Sequence, residues 1–215
     1  MKGYPITLTN LQRGRCIVVG GGAVAERKVS GLLEAGAPVE VISPDITPQL
    51  DAWHVAGQIT YHAEPYHRGS LTGARLVIAA TNEHAVNAAV ADEGQALGAL
   101  VNVADDPAAS DFHTAGVVRR GDITLTVSTS GGSPALAALM RRRLEATFGP
   151  EYAELATWLR QIRDTVGPQL QPQSRTALYR ALATEEVLDW LRAGDHEQLA
   201  TYTDHLLSTL ERIVP

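Results

Sequence analysis

Three groups of residues carry chemistry by type and spacing. The first is Gly20-Gly21-Gly22-Ala23-Val24-Ala25, in which Gly20-x-Gly22-x-x-Ala25 matches the dinucleotide fingerprint G-x-G-x-x-G/A. In that pattern Gly20 permits a tight turn, Gly22 lets a pyrophosphate approach the backbone, and Ala25 lets a helix pack closely on a sheet. A helix start also offers free N–H groups and partial positive charge to an anion. The second is Asp105, within Asn102-Val103-Ala104-Asp105-Asp106-Pro107. It is a candidate general base, or else a cap of the Asp-Asp-Pro turn. The third is cationic. Arg27 and Lys28 lie one turn past the glycines, and Arg119-Arg120 and Arg141-Arg142-Arg143 flank the polar loop Ser128-Thr129-Ser130-Gly131-Gly132-Ser133-Pro134. These arginines suit an anionic ligand, or form solvated faces.

The elements that must position them follow from periodicity. Cys16 to Val19 is a short apolar run rich in β-branched residues, a buried strand, and a helical pattern follows as far as Gly36. Ala25, Val29, Leu32 and Leu33 fall on its sheet-facing side. Val39 to Ser43 is the second strand, ending at Pro44. A ribose-binding acid is expected about 20 residues past the glycines, where this chain has Ser43-Pro44-Asp45 and no arginine beside Ser43; this leans to NAD over NADP. Thr47 to Ala56 predicts a helix, Gln58 to His62 a third strand, and Arg75 to Ala80 a fourth, ending at Thr81-Asn82. Val86, Val90 and Leu97 mark the next helix, and Leu100 to Val103 a fifth strand. Alternating strands and helices of this kind predict a doubly wound, Rossmann-type parallel α/β sheet over residues 1–112. Its ligands bind beyond the carboxyl ends of the strands, where Ser43, Thr81, Asn102 and Asp105 fall. Ile6 to Leu8 is expected as a short edge strand before it.

The pattern then changes. Ile123 to Ser128 alternates strictly, and Arg120-Gly121-Asp122 turns it back on Gly116 to Arg119, predicting an antiparallel hairpin. Ser133 and Pro134 suit the N-cap and first position of a helix running to about Phe148. Tyr152 to Ile213 reads as helices broken near Gly167-Pro168 and Gly194. The domains expected are therefore 1–112 for nucleotide binding, 113–148 for dimerisation and part of the active site, and 149–215 as a helical region.

Composition narrows the function classes. A net charge of −6 argues against nucleic acid as the main partner, and no apolar run is long enough to span a membrane. One cysteine, Cys16, rules out an internal disulfide framework and fits a reducing cytoplasm. Met1 to Pro5 lacks the long apolar core of a signal peptide. The seven histidines form no HExxH and no close helical pair, so no metal site is legible. His113, near Asp105 in sequence, either shares its cleft or, as the better expectation, lies on the surface.

Gly20-Gly21-Gly22-Ala23-Val24-Ala25-Glu26-Arg27-Lys28 resembles the GGGxVAxRK signature of the precorrin-2 dehydrogenases, the N-terminal module of sirohaem synthases and its stand-alone relatives. Ala79-Ala80-Thr81-Asn82, Asn102 to Pro107, Arg119-Arg120-Gly121-Asp122, and Ser128-Thr129 through Ser133-Pro134-Ala135-Leu136-Ala137 extend the resemblance over about residues 1–150. It implies NAD-dependent oxidation of precorrin-2 to sirohydrochlorin, and in some members insertion of iron as well. The substrate is a carboxylate-rich tetrapyrrole, for which Arg27, Lys28, Arg119, Arg120, Ser130 and Ser133 are the candidate contacts. The resemblance places the key aspartate on Asp105 and nucleotide contacts on Ala23-Val24 and Pro44-Asp45. It implies a homodimer that exchanges contacts through the hairpin and the helix after the serine-glycine loop. The methyltransferase module fused in some relatives is expected to be absent, the sequence stopping at Pro215. Two alternatives stay open: another NAD-linked oxidoreductase on the same fold, and a non-catalytic NAD(H) sensor, which would need no base at Asp105.

Overall fold

Five short strands, each followed by a chain reversal, build one parallel sheet in the order β3-β2-β1-β4-β5. The computed structural model describes residues 3–212. The strands are β1 (Arg15–Val19), β2 (Val39–Ile42), β3 (Ile59–His62), β4 (Ala74–Ala79) and β5 (Leu100–Val103). Helices α1 (Ala23–Glu34), α2 (Pro48–Val55) and α3 (His84–Ala96) follow β1, β2 and β4. The order reverses at β1, which has β2 on one side and β4 on the other; this is the switch point at which such sheets take ligands.

Both faces of the sheet are covered, as near-continuous apolar strands require. Cys16, Val18, Val41, Leu76 and Ile78 pack with Ala25, Val29 and Leu32 of α1 and Leu50 of α2. On the other face Ile17, Val19, Val77, Ala79 and Val101 pack with Val90 and Ala91 of α3. Ile17 and Leu50 are fully buried, so truncation of either to Ala should cost about 2–5 kcal/mol. The register is what aligns the site. Val19 pairs with both Ile42 and Ala79, and Ala79 pairs with Val103. The residues after these four strands, beginning at Gly20, Ser43, Ala80 and Ala104, therefore line one edge.

One expectation is corrected in this region. Ile6 to Leu8 forms no strand; Leu8 instead packs on the core, and the chain enters β1 through a single 3-10 turn, Leu11–Arg13. At the β5 edge of the sheet, the Asp111 carboxylate accepts from the Val101 amide and the Ser110 hydroxyl accepts from the Val103 amide. Leu97, which marks the end of the third helix in the sequence, is the half-exposed C-cap of α3.

The chain divides into two compact units, one up to Thr114 and one from Ala115 onward. The second contains the hairpin β6 (Gly116–Arg120) and β7 (Ile123–Val127), then α4 (Pro134–Thr147), α5 (Glu151–Thr165), α6 (Pro172–Leu182), α7 (Glu185–Arg192) and α8 (His196–Arg212). Leu155, Ile162, Leu178, Leu182, Val187, Leu188, Leu191 and Leu199 form its core. The breaks at Gly167-Pro168 and Gly194 are present. A further break lies at Ala183-Thr184, where the Thr184 hydroxyl caps α7 by accepting from the Val187 amide. The last helical residue expected from sequence, Ile213, lies outside the described residues.

Candidate active site at the carboxyl edge of the sheet

The glycine turn divides its labour differently from the fingerprint. Gly20 has φ +119°, and a Cβ there would overlap the Ala80 carbonyl. Gly21, a free position in the motif, is the tightest: a Cβ would overlap the Asp45 carbonyl oxygen and crowd Ser43. The Ser43 hydroxyl donates to that same carbonyl at 2.7 Å, and the Thr47 amide donates to the Gly21 carbonyl. Ser43 and Gly21 thus lock the Ser43-Pro44-Asp45 turn against the β1–α1 turn, and leave Pro44 and Asp45 exposed.

Gly22 is the N-cap of α1, with no side-chain cap, and a Cβ there would meet nothing within 4 Å. The space before the helix start is open, Ala23 and Val24 are exposed beside it, and the first-turn amides have no capping side chain. These features fit a dinucleotide pyrophosphate: amide donors and positive helix-dipole charge face unfilled space.

Across the switch point, Thr81 follows β4 and Asp105 follows β5. They are joined by a residue the sequence reading missed, Asn87 on α3, which is fully buried. Its Oδ1 accepts from the Thr81 amide (3.1 Å) and hydroxyl (2.8 Å). Its Nδ2 donates to the Thr81 carbonyl (3.1 Å) and to Asp105 Oδ1 (3.0 Å). The Asp105 carboxylate is half exposed, and its other oxygen lies 3.6 Å from Nδ1 of His84, the first residue of α3. His113 is exposed, as expected, and the histidine beside Asp105 is His84. The turn cap is Asp106, whose carboxylate accepts from the Ala108 and Ala109 amides. The two aspartates therefore have separate tasks. A signal for Asn87 was present: it shares the buried stripe of α3 with Val90, Ala91 and Gly94, and a polar residue in such a stripe must find partners.

Asn102 is buried, and its Nδ2 donates to the Phe112 carbonyl at 2.8 Å. Its Oδ1 accepts from Lys28 Nζ at 3.1 Å, and Lys28 also donates to the Thr114 hydroxyl at 2.7 Å. Burial, reinforced by the charge of Arg27, lowers the Lys28 pKa. Lys28 is thus tied into the frame, whereas Arg27 is exposed beside Ser30, Gln49 and Trp53.

The remaining candidates lie in the second unit. The Ser133 hydroxyl caps α4 by accepting from the Leu136 amide. Ser130 is exposed at φ +51°, its amide donating to the Ser128 hydroxyl. Arg120 is engaged at the other end of α4: its guanidinium donates to the Phe148 (2.6 Å), Glu145 (2.9 Å) and Arg119 (2.9 Å) carbonyls. Arg119 is exposed, with Nη1 3.3 Å from the Thr124 hydroxyl. Among the described residues no group of three His, Cys, Asp or Glu side chains is arranged to hold a metal ion. No helix among them is long and apolar enough to cross a membrane.

A glycine turn, an uncapped helix start and a switch point between β1 and β4 define a nucleotide-binding Rossmann-type protein. The family model described as "Putative NAD(P)-binding" matches residues 7–116, and that of the "Sirohaem biosynthesis protein central" region matches residues 120–147; the chain belongs to this NAD(P)-binding family. Its curated relatives include the siroheme synthase of Nitrosomonas eutropha, 37% identical over 216 residues, covering 100% of this chain and 44% of the relative. The siroheme synthase of Nitrosococcus oceani is 35% identical over 199 residues, covering 92% of this chain and 42% of the relative. The chain thus spans less than half the length of these relatives. Among solved structures, "SirC, precorrin-2 dehydrogenase" has the same fold, with TM-score 0.79 at 23% identity over 98% of this chain and 100% of that one.

Proposed function

We propose that the chain oxidises precorrin-2 to sirohydrochlorin with NAD in siroheme synthesis, Asp105 being its catalytic acid–base group. The observation that carries this reading is the Thr81–Asn87–Asp105 network, which sets a carboxylate at the same edge of strand ends as the glycine turn. A pure nucleotide sensor has no use for an anchored base there. The names of the relatives support the substrate, siroheme synthase in matches that cover 92–100% of this chain and precorrin-2 dehydrogenase in the structural one.

In this reading the bound nicotinamide supplies a hydride acceptor. The substrate loses a hydride and a proton, becoming oxidised by two electrons. Gly22 and the α1 amides would hold the pyrophosphate, Asp45 would meet the adenosine ribose, and Thr81 would serve the nicotinamide end. Asp105 takes or steers the proton. Arg27, Arg119 and Ser130, each exposed, are the proposed contacts for substrate carboxylates. Lys28, Ser133 and Arg120 are proposed to act mainly by holding the loops that carry them. Iron insertion, where it accompanies oxidation, would use the same pocket and depend on Asp105.

The proposed assembly is a homodimer. Leu136, Leu139 and Met140 of α4 are 47%, 41% and 45% exposed, an i, i+3, i+4 stripe that a second subunit would cover. The reducing cytoplasm proposed as its location suits the lone buried thiol of Cys16.

The test is anaerobic turnover of precorrin-2 with NAD or NADP at equal concentration. NADH and sirohydrochlorin should appear together. NAD should be the faster oxidant, because Asp45 would repel a 2′-phosphate. No turnover would overturn the reading, and a preference for NADP would displace Asp45 from the ribose.

A further inference from the structure

We propose that Asn87 is the positioning residue of Asp105, fixing which carboxylate oxygen is offered to the substrate and coupling it to the Thr81 loop. The inference rests on the role of Asp105 proposed above. An exposed carboxylate ordinarily turns among rotamers at little cost. Asp105 is half exposed, yet its Oδ1 is held at 3.0 Å by a donor that has no freedom of its own. Asn87 is fully buried, and its four contacts fill the two donor and two acceptor sites of a side-chain amide. Its orientation is dictated by chemistry. The Thr81 backbone N–H can only donate, so the amide oxygen must face it. The NH₂ group is then the end that meets Asp105 and the Thr81 carbonyl.

The consequence is asymmetry in the carboxylate. Oδ1 is committed to the buried Asn87, and Oδ2 lies 3.6 Å from Nδ1 of the exposed His84. Asn87 also spans the gap between the ends of β4 and β5, so that Thr81 and Asp105 move as one piece. A displacement of about 1 Å at a reacting group can cost about 100-fold in rate, which makes one buried amide worth placing there.

A double-mutant cycle separates positioning from mere structure. Asn87→Asp keeps an acceptor for the Thr81 N–H but loses the donor to Asp105. Asn87→Ser removes the reach to Asp105 without adding charge, and serves if the carboxylate unsettles the fold. Each is made in the wild-type and Asp105→Ala backgrounds, with folding checked by thermal melts and turnover followed as NADH release from precorrin-2 and NAD. The expected result is a fall in kcat of about tenfold or more in the wild-type background. In Asp105→Ala the further change should be less than about twofold, since Asn87 would have no base left to aim. A crystal structure of ligand-free Asn87→Ser should show the Asp105 carboxylate in more than one rotamer, against one in the wild type. Equal losses in the two backgrounds, unchanged kcat in folded variants, or a single unchanged Asp105 rotamer would each overturn the inference. If Asp105→Ala alone keeps wild-type turnover, the catalytic reading of Asp105 falls first, and the inference with it.

Discussion

In the unit up to Thr114, β1 is buried from Cys16 to Val19 and the helices on either face bury apolar side chains against the sheet. In the unit from Ala115, α4 runs for 14 residues without one buried side chain and leaves Leu136, Leu139 and Met140 open. The two regions hold their polar candidates differently too. Asn87, Asn102 and Ser43 are buried polar groups that brace one edge of the sheet. Ser133 and Arg120 close the two ends of α4. The first region is a finished frame with an open edge. The second finishes its hairpin, with Val118 and Val127 buried, but leaves an apolar stripe on the helix beside it.

Substitutions in the glycine turn should sharpen this contrast most. Gly22→Asp puts a carboxylate into open space before α1, so the fold should survive. Like charges about 4 Å apart near a surface repel by roughly 4 kcal/mol, so NAD affinity in a titration should fall by about 100-fold or more. Gly21→Ala, one residue earlier, should instead lower the melting temperature, because its Cβ overlaps the Asp45 carbonyl. The reverse pattern would exchange the roles assigned to the two glycines.

In the second region the effect should fall on assembly. Leu136→Glu with Met140→Glu should convert the proposed dimer to a monomer in sedimentation at micromolar concentration, while changing monomer stability by only about 0.5 kcal/mol. A fully active monomeric wild type would refute the proposed role of α4.

A smaller effect is expected inside the frame. Burial alone would push the Glu93 carboxyl up. The Tyr66 hydroxyl and the Gly69 and Leu71 amides outweigh it and hold the group below the usual carboxylate range. A lowered folded pKa means that its stabilisation is complete above the unfolded value, about 4.3. It is lost as pH falls through the lower folded one. Glu93→Gln should therefore cost about 2 kcal/mol at neutral pH, and the variant should lose less stability than the wild type on acidification. An unchanged acid limb in thermal melts would contradict this.

The first region was legible because its signals are local and redundant. β-Branched runs, glycine punctuation and helical stripes agree on five strands and the helices between them, and Asp105 stood out by its place past β5. What was missed depends on contacts that the fold, not the local pattern, brings together. Gly21 is required by Asp45, and Asn87 by Thr81 and Asp105. The histidine beside Asp105 is His84, separated from it in sequence by the rest of α3 and β5. The break at Thr184 lacks glycine or proline and shows only as a threonine ahead of Glu185-Glu186, a quieter N-cap signal. Arg120 reads as a substrate contact because Arg119-Arg120 flank the serine-glycine loop, and nothing local announces the carbonyls it meets 25 and 28 residues later.

The central claim is that a frame-held carboxylate does acid–base work at the sheet edge. It is tested most directly by the turnover of Asp105→Ala against wild type, anaerobically with precorrin-2 and NAD, with Asp106→Ala as the neighbouring control. Positioned acid–base groups contribute about 100- to 10,000-fold, so Asp105→Ala should lose roughly 100-fold or more in kcat at nearly unchanged NAD affinity. Asp106→Ala, whose carboxylate caps the turn, should be much milder. Wild-type turnover by Asp105→Ala would contradict the account and favour a nucleotide sensor.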